Sequence, residues 1–463
     1  HGLIMGPDGK LYFSVGDRGY HVTTADGRTR LSEGRGGVFR CEPDGSGLEL
    51  YADGLRNPQE LGFDDCGNLF TFDNTGDIGD KARMVYVLEN TDSGWNMAHQ
   101  SPHQYAKALD WGDFRPAKAV WVAERMYDLW HEQQPQWVYP PLAHVGNGPS
   151  GFTFLTGEAL PDDLRGRFLL TNYSGAAEAS NSFLVGFTNA GAGFKTTEVR
   201  ELVRGIAAAD VALGYDGRLF LADFGGGWSV NTNASIQVLA AKDPALQAKG
   251  RAVAALIAKG FQETAQEELA RLLSHPDQRV RREAQFEIVK RSDRGLLENN
   301  VAKNESRAAR LHALWGLGQL KAVDALLKLT ADADLEIRAN TARTLGDLRA
   351  KEARAALLGL LRDDSLRVRA LAAIALGRLC EKGDTEAIDA LYTANVSPVD
   401  VVLRHAILSA LDRISTEAAA TARSTAPDRE QRLLSVLFLR RHQSPQLAVF
   451  LQDADAAICH ETI

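Results

Sequence analysis

Arg56 and Asn57 stand directly before a proline in the stretch Gly54-Leu55-Arg56-Asn57-Pro58-Gln59. Proline holds the preceding residue in an extended conformation, so the pair sits on a fixed loop rather than in a helix. A fixed guanidinium offers a rigid fork of donors, which suits a planar anion. A structural loop whose Arg pairs with a nearby carboxylate would read the same way. Farther along, Asp73-Asn74-Thr75-Gly76-Asp77 with Asp80 is an oxygen-rich loop of the kind that takes a hard cation. It lacks the spacing and distal Glu of an EF-hand, and a solvated turn has the same composition. His99, His103, His131 and His144 show neither HxxxH nor HxH spacing, which argues against zinc. Cys41, Cys66, Cys380 and Cys459 form no CxxC or CxxCH motif and read as free or buried thiols.

The elements that must carry these residues change character midway. In the first half, Gly-Pro-Asp-Gly-Lys-Leu-Tyr-Phe (6–13) is echoed at Cys66-Gly67-Asn68-Leu69-Phe70 and Asp216-Gly217-Arg218-Leu219-Phe220. A fainter copy is Arg165-Gly166-Arg167-Phe168. Each reads as a tight turn with glycine in the left-handed position, then a short strand. Gly9, Gly67, Gly166 and Gly217 lie 58, 99 and 51 residues apart. A period near fifty with several strands per unit predicts a β-propeller. The long gap is one blade with an insertion, or two blades with one motif lost. Four to five blades fit, so amino-terminal blades are expected to be missing and strand edges exposed. Trp95, Trp111, Trp121, Trp130 and Trp137 all fall between 95 and 145, an insertion expected to cross one face of the blades. Such aromatic loops line sugar and cofactor sites, or bury themselves against a scaffold.

Asp243-Pro244 marks the break. Beyond it Ala, Leu, Arg and Glu recur with helical spacing. Arg338–Leu348 and Arg369–Leu379 are near copies, Arg310–Leu320 ends alike, and looser copies start at Arg281, Arg404 and Arg432. Each unit reads as a helix, a polar turn and a second helix, the turn Asp capping that second helix. The Arg that follows can reach a neighbouring unit's Asp. This pattern resembles short HEAT repeats stacked into a solenoid. Its concave face is a binding surface or, equally, the side of a rigid spacer.

Hydrophobic residues make up 44% of the 463 and charged residues 24%, ordinary values for a globular chain of at least two domains. A net charge of −8 argues against nucleic acid as partner. No apolar run is long enough to span a bilayer. The start at His1 and the stop inside a helical pattern are expected of a fragment of something longer.

Gly54 to Gln59, the turn and strand through Asp73, and Ser93-Gly94-Trp95-Asn96 together resemble the glucose/sorbosone dehydrogenase family over about residues 1–240. That resemblance implies a six-bladed propeller, a sugar or alcohol substrate and pyrroloquinoline quinone (PQQ) as cofactor. It implies Arg56 and Asn57 as cofactor contacts, Asp17 as a polar catalytic partner, and His1 as base toward the sugar hydroxyl. It also implies calcium near the loop of Asp73 and Asp77. The order of propeller then HEAT repeats resembles membrane-bound dehydrogenase-like envelope proteins of planctomycete and verrucomicrobial bacteria, which implies a periplasmic or cell-envelope location. Many of those continue into a cytochrome c domain, but this sequence holds no haem motif. It also departs from the quinone family: Leu169-Leu170-Thr171-Asn172-Tyr173-Ser174 lacks the Lys expected in that strand, and Ala207, Ala208 and Ala209 stand where two Arg are expected.

The expectation is therefore a multidomain chain. Residues 1–242 form an all-β propeller of six-bladed type, truncated at its amino end. Residues 243–463 form an all-α HEAT solenoid. The expected function is a quinone-dependent, oxidoreductase-like action on a sugar or alcohol, with the repeats as a protein-interaction arm. The alternative is a non-catalytic propeller that binds carbohydrate or protein on a HEAT scaffold.

Overall fold

The computed structural model describes residues 2–32, 34–96, 110, 120–229, 231–395 and 399–463. His1, His99, His103 and Trp111 lie outside the described residues. The first half is β-rich, a series of small sheets of which none closes on itself. The first sheet is β1 (Leu3–Met5), β2 (Leu11–Val15), β5 (Gly36–Cys41) and β6 (Glu49–Leu55) in that order, with the hairpin β3 (Tyr20–Thr23) and β4 (Thr29–Ser32) beside it. The second is β7 (Pro58–Phe63), β8 (Leu69–Asp73) and β9 (Arg83–Tyr86). The third is β10 (Pro149–Leu155), β11 (Arg167–Asn172), β12 (Asn181–Ala190) and β13 (Gly193–Arg204). The last is β14 (Ala208–Leu213), β15 (Leu219–Asp223) and β16 (Ser235–Leu239). All pairings in these sheets are antiparallel.

The four aligned glycines each turn the first strand of a sheet into its second, and each has positive φ, between 72° and 81°. Among the described residues the 99-residue gap holds β8 and β9, then a long connection whose only described helix is the short α1 (Val120–Ala123), and then β10 of the next sheet. First strands neighbour one another in chain order, β1 with β7, β7 with β10 and β10 with β14. Three of them carry a register shift near their start, at Pro58/Leu61, Pro149/Phe152 and Ala208/Asp210. Such bulges twist and re-aim a strand.

After Leu239 the chain is helical: α2 (Pro244–Lys259), α3 (Gln266–Leu272), α4 (Gln278–Lys290), α5 (Arg294–Lys303), α6 (Arg307–Gln319), α7 (Val323–Lys328) and α8 (Leu335–Asp347). There follow α9 (Arg354–Leu360), α10 (Leu366–Leu379), α11 (Thr385–Thr393), α12 (Val401–Ile414), α13 (Glu417–Thr421), α14 (Arg429–Arg441) and α15 (Ala456–Thr462). Asp277, Asp334, Asp400, Asp428 and Asp455 cap second helices by accepting backbone N–H bonds. The Arg four residues past the cap does reach the next unit's turn: Arg310 pairs with Asp332, Arg338 with Asp363, and Arg432 with Asp453. Arg404 uses Glu430 instead, and Arg369 donates to the carbonyls of Asp363 and Ala394.

The inner face of the repeats is neither an open groove nor the side of a free spacer. The second helices pack on the β-rich half along the solenoid's length. Arg281 of α4 pairs with Asp65, Arg343 of α8 donates to the Gly67 carbonyl, and Arg367 of α10 bonds Asn68. Arg404 of α12 bonds Gln136, and Arg441 of α14 bonds Asn90. A Cβ on Gly67 would come within 2.7 Å of the Trp315 ring of α6, so this turn needs glycine for close approach as well as for its φ of +72°. One hydrophobic core runs from Tyr12 and Phe70 through Leu314 and Leu376 to Ile458.

Candidate functional site

Arg56 and Asn57 form the link between β6 of the first sheet and β7 of the second. Both ends of Arg56 are pinned. Its N–H donates to the Asp73 carboxylate at 3.0 and 3.1 Å, and its carbonyl accepts the Asp17 N–H at 2.7 Å. Asn57 donates its own N–H to Asp73 at 2.6 Å. The loop is therefore held by a buried carboxylate at the end of β8 and by the turn after β2, in addition to Pro58.

The Arg56 side chain is only 3% exposed. Among the described residues its Nε has no hydrogen-bond partner, and its charged neighbours stand back, Asp17 Oδ2 at 3.8 Å and Asp77 Oδ2 at 3.6 Å. A buried guanidinium without donors satisfied is costly unless something else meets it. Asp17 accepts the Trp95 indole N–H at 3.2 Å. Burial pushes the Asp17 carboxyl above the usual carboxylate range, although Arg56 pulls the other way. Arg56, Asp17 and Asp77 are thus brought together.

Asp73 and Asp77, expected to hold calcium, do not converge on a cation position. Asp73 is fully buried and already accepts the Arg56 and Asn57 N–H groups and the Arg83 guanidinium. The loop closes on itself through Gly76 N–H to Asp80 at 2.8 Å and Thr75 Oγ to Asp77 at 3.2 Å. Trp121 donates its N–H to Asp80 at 2.9 Å. Among the described residues no cluster of three or more His, Cys, Asp or Glu could hold a metal ion.

Sequence reasoning missed Arg83. It lies directly across from Asp73 in the β8–β9 register, donates to the Ser93 carbonyl at 2.6 Å, and sits under the Trp121 ring at 4.5 Å. Opposite charges at the two ends of a short hairpin were the available signal. Trp95 and Trp121 meet edge to face at 5.4 Å, and with Met126 and Val138 they wall off this corner. Part of the aromatic insertion is thus buried scaffold rather than an open lining.

Two carboxylates occupy matching places on first strands. Glu60 of β7 and Asp210 of β14 each stand seven residues before an aligned turn glycine. Burial, then the Asp210 charge, pushes the Glu60 carboxyl up to about 7.

A family profile for HEAT repeats matches residues 323–412, and one described as a domain of unknown function (DUF7133) matches residues 1–224. No curated protein matches the chain. Among solved structures, the PQQ-bound aldose sugar dehydrogenase of Streptomyces coelicolor is 17% identical, with a TM-score of 0.33 over 51% of this chain and 60% of its own. This chain thus spans under two thirds of that enzyme. The CpcE–CpcF complex of phycocyanin lyase from Nostoc sp. PCC7120 is 24% identical at a TM-score of 0.26, over 36% of this chain and 74% of its own. A designed armadillo repeat protein in complex with the peptide (KR)4 is 15% identical at a TM-score of 0.27, over 43% of this chain and 97% of its own. The chain is a β-rich region followed by HEAT repeats.

Proposed function

We propose that residues 1–242 are part of a six-bladed-type β-propeller with an oxidoreductase-like site for a sugar or alcohol, and that residues 243–463 brace it from one side. The carrying observation is Arg56, a buried guanidinium that, among the described residues, has an unbonded Nε and no carboxylate within hydrogen-bond reach. Such a group is poised for an acidic or carbonyl oxygen of a ligand. Asp17 beside it is the proton-accepting candidate, and Asn57 a second polar contact. A periplasmic or cell-envelope location goes with the family resemblance. With the inner helices occupied, a protein partner of the repeats would have to use their outer helices.

PQQ does not fit the residues present. Its three carboxylates need cations, yet Arg83 is committed to Asp73, and Ala207 and Ala208 are buried where Arg is expected. Asn172 of β11 spends its carbonyl oxygen on the N–H groups of Asn147 and Gly148. That shortage of cations favours the second reading, a non-catalytic carbohydrate-binding propeller.

Calorimetry on the full chain tests the site with glucuronate against glucose. Glucuronate should bind more tightly, Arg56→Ala should abolish that advantage, and Arg56→Lys should restore part of it for want of the fork. Equal binding of the two sugars would remove Arg56 from the site. Dye reduction by sugar after PQQ reconstitution would decide for the enzyme and against the non-catalytic reading.

A further inference from the structure

A cleft of about 170 Å³ lies between the first strands of the four sheets and helices α4 and α6. It is far from Arg56. β7 begins beside that residue and its last residue, Phe63, lines the cleft, so the two are a strand length apart, roughly 17 Å. Met5, Phe63, Phe154 and Leu213 give the cleft an apolar body, while Arg282 of α4 and His312 of α6 give it a polar wall.

The chemistry of that wall is fixed by its neighbours. Gln285 donates its amide N–H to the Pro7 carbonyl at 2.8 Å, which leaves its Oε1 to accept. His312 Nδ1 stands 2.7 Å from that oxygen, so Nδ1 bears the hydrogen and Nε2 the lone pair. His312 is 1% exposed, and among the described residues its Nε2 has no hydrogen-bond partner. Burial and the charges of Arg281 and Arg282 hold the ring well below the usual histidine range, hence neutral. Arg282 Nε is also buried without a partner among the described residues, and the one carboxylate near that guanidinium there, Glu283, stands 3.9 Å from Nη2. The wall thus presents one unmet acceptor and one unmet donor.

A carboxylate would satisfy Arg282 but could not donate to His312. An ammonium would donate to His312 but be repelled by Arg282. A hydroxyl does both. We propose that this cleft binds a small uncharged alcohol with an apolar body, its O–H donating to His312 Nε2 and accepting from Arg282 Nε. The volume is adequate, since an apolar protein cavity of about 150 Å³ admits benzene. The site exists only because the HEAT helices close this end of the sheets, and it needs neither the Arg56 site nor any cofactor.

The test is calorimetry on the full chain with benzyl alcohol, toluene and benzoate. Benzyl alcohol should bind at least about tenfold more tightly than toluene, since each of its two hydrogen bonds is worth up to about that factor, and benzoate should gain nothing over toluene. His312→Leu should keep toluene binding and reduce the preference for the alcohol to what the Arg282 bond alone supplies. Phe154→Trp, which fills the cleft, should abolish both. Equal affinity of the wild-type chain for benzyl alcohol and toluene, or saturable binding of neither, would overturn the proposal and leave a solvent-filled cleft. That comparison needs no variant, so it decides even if His312→Leu fails to fold.

Discussion

Arg378 and Glu89 are 289 residues apart in sequence and 2.8 Å apart in the fold, both nearly inaccessible to water. Glu89 leaves the second sheet just past β9 and Arg378 comes from α10. Arg413 of α12 stands on the other side of the same carboxylate. Despite complete burial, these guanidinium groups draw the Glu89 carboxyl down to about 2, from an ordinary value of 4.5. A carboxyl depressed by folding stabilises the fold fully above its unfolded value, and that stability is lost as pH falls toward the folded value. Acid should therefore weaken the chain between about pH 4.5 and 2, by an amount on the order of 3 kcal/mol from this group. Glu89→Gln should flatten that limb of the stability profile in urea titrations. A variant with an unchanged acid limb would show the pair to be indifferent to folding.

Trypsin tests how the halves hold together. Ala240 to Pro244 form an exposed connection with Lys242 within it, so a first cut is expected there. The two pieces should nevertheless elute as one, because apolar core and buried ion pairs cross between them. Arg378→Ala leaves Glu89 short of a partner and should cost about 3–5 kcal/mol, releasing the pieces at lower urea. Separation of the nicked wild-type pieces in plain buffer would mean that the interface is a loose contact.

Within the repeats, two aligned arginines should differ. Arg338 forks onto Asp363 with bonds of 2.7 and 2.9 Å and also holds the Asp332 carbonyl at 2.8 Å. Among the described residues Arg369 has only carbonyl partners. Arg338→Ala should cost about 1–3 kcal/mol, and Arg369→Ala less, because neutral acceptors give weaker bonds than carboxylates. Equal thermal shifts in the two variants would dissolve the distinction.

Much of this was legible in the sequence, for local reasons. Gly9, Gly67, Gly166 and Gly217 mark turns that need a left-handed residue, and Asp caps followed by Arg mark the repeats; both depend on neighbours a few residues away. The interface was not legible, because Arg367 and Arg378 owe their burial to Asn68 and Glu89, 299 and 289 residues distant. A clue existed. Between those two Arg, three turns apart on one face, α10 is almost wholly apolar, and a helix apolar all round is a buried one. Pro58 marked the Arg56 stretch as a loop rather than a helix, and it is the link between β6 and β7. Its anchor was misread: Asp73 looked like a cation ligand, and only the pairing with Arg83 shows why its oxygens are taken.

Glu60 offers a test with the opposite sign to Glu89. Its carboxyl is pushed up to about 7, first by burial and then by the Asp210 charge. A carboxyl raised by folding binds its proton more tightly in the folded chain, so stability is highest below the unfolded value and falls as pH rises from about 4.5 to 7. Above that window the ionised group is a standing cost. Glu60→Gln should therefore leave the melting temperature unchanged near pH 4 and raise it near pH 8. Asp210→Asn should act in the same direction by removing the second cause, and the two changes together should gain less than the sum of each alone, since they relieve one repulsion. Because Glu60 is only partly buried, water screens part of the effect, and the sign and the pH window are the quantities to read. An equal shift at both pH values would mean that Glu60 is an ordinary surface carboxylate with no tie to Asp210.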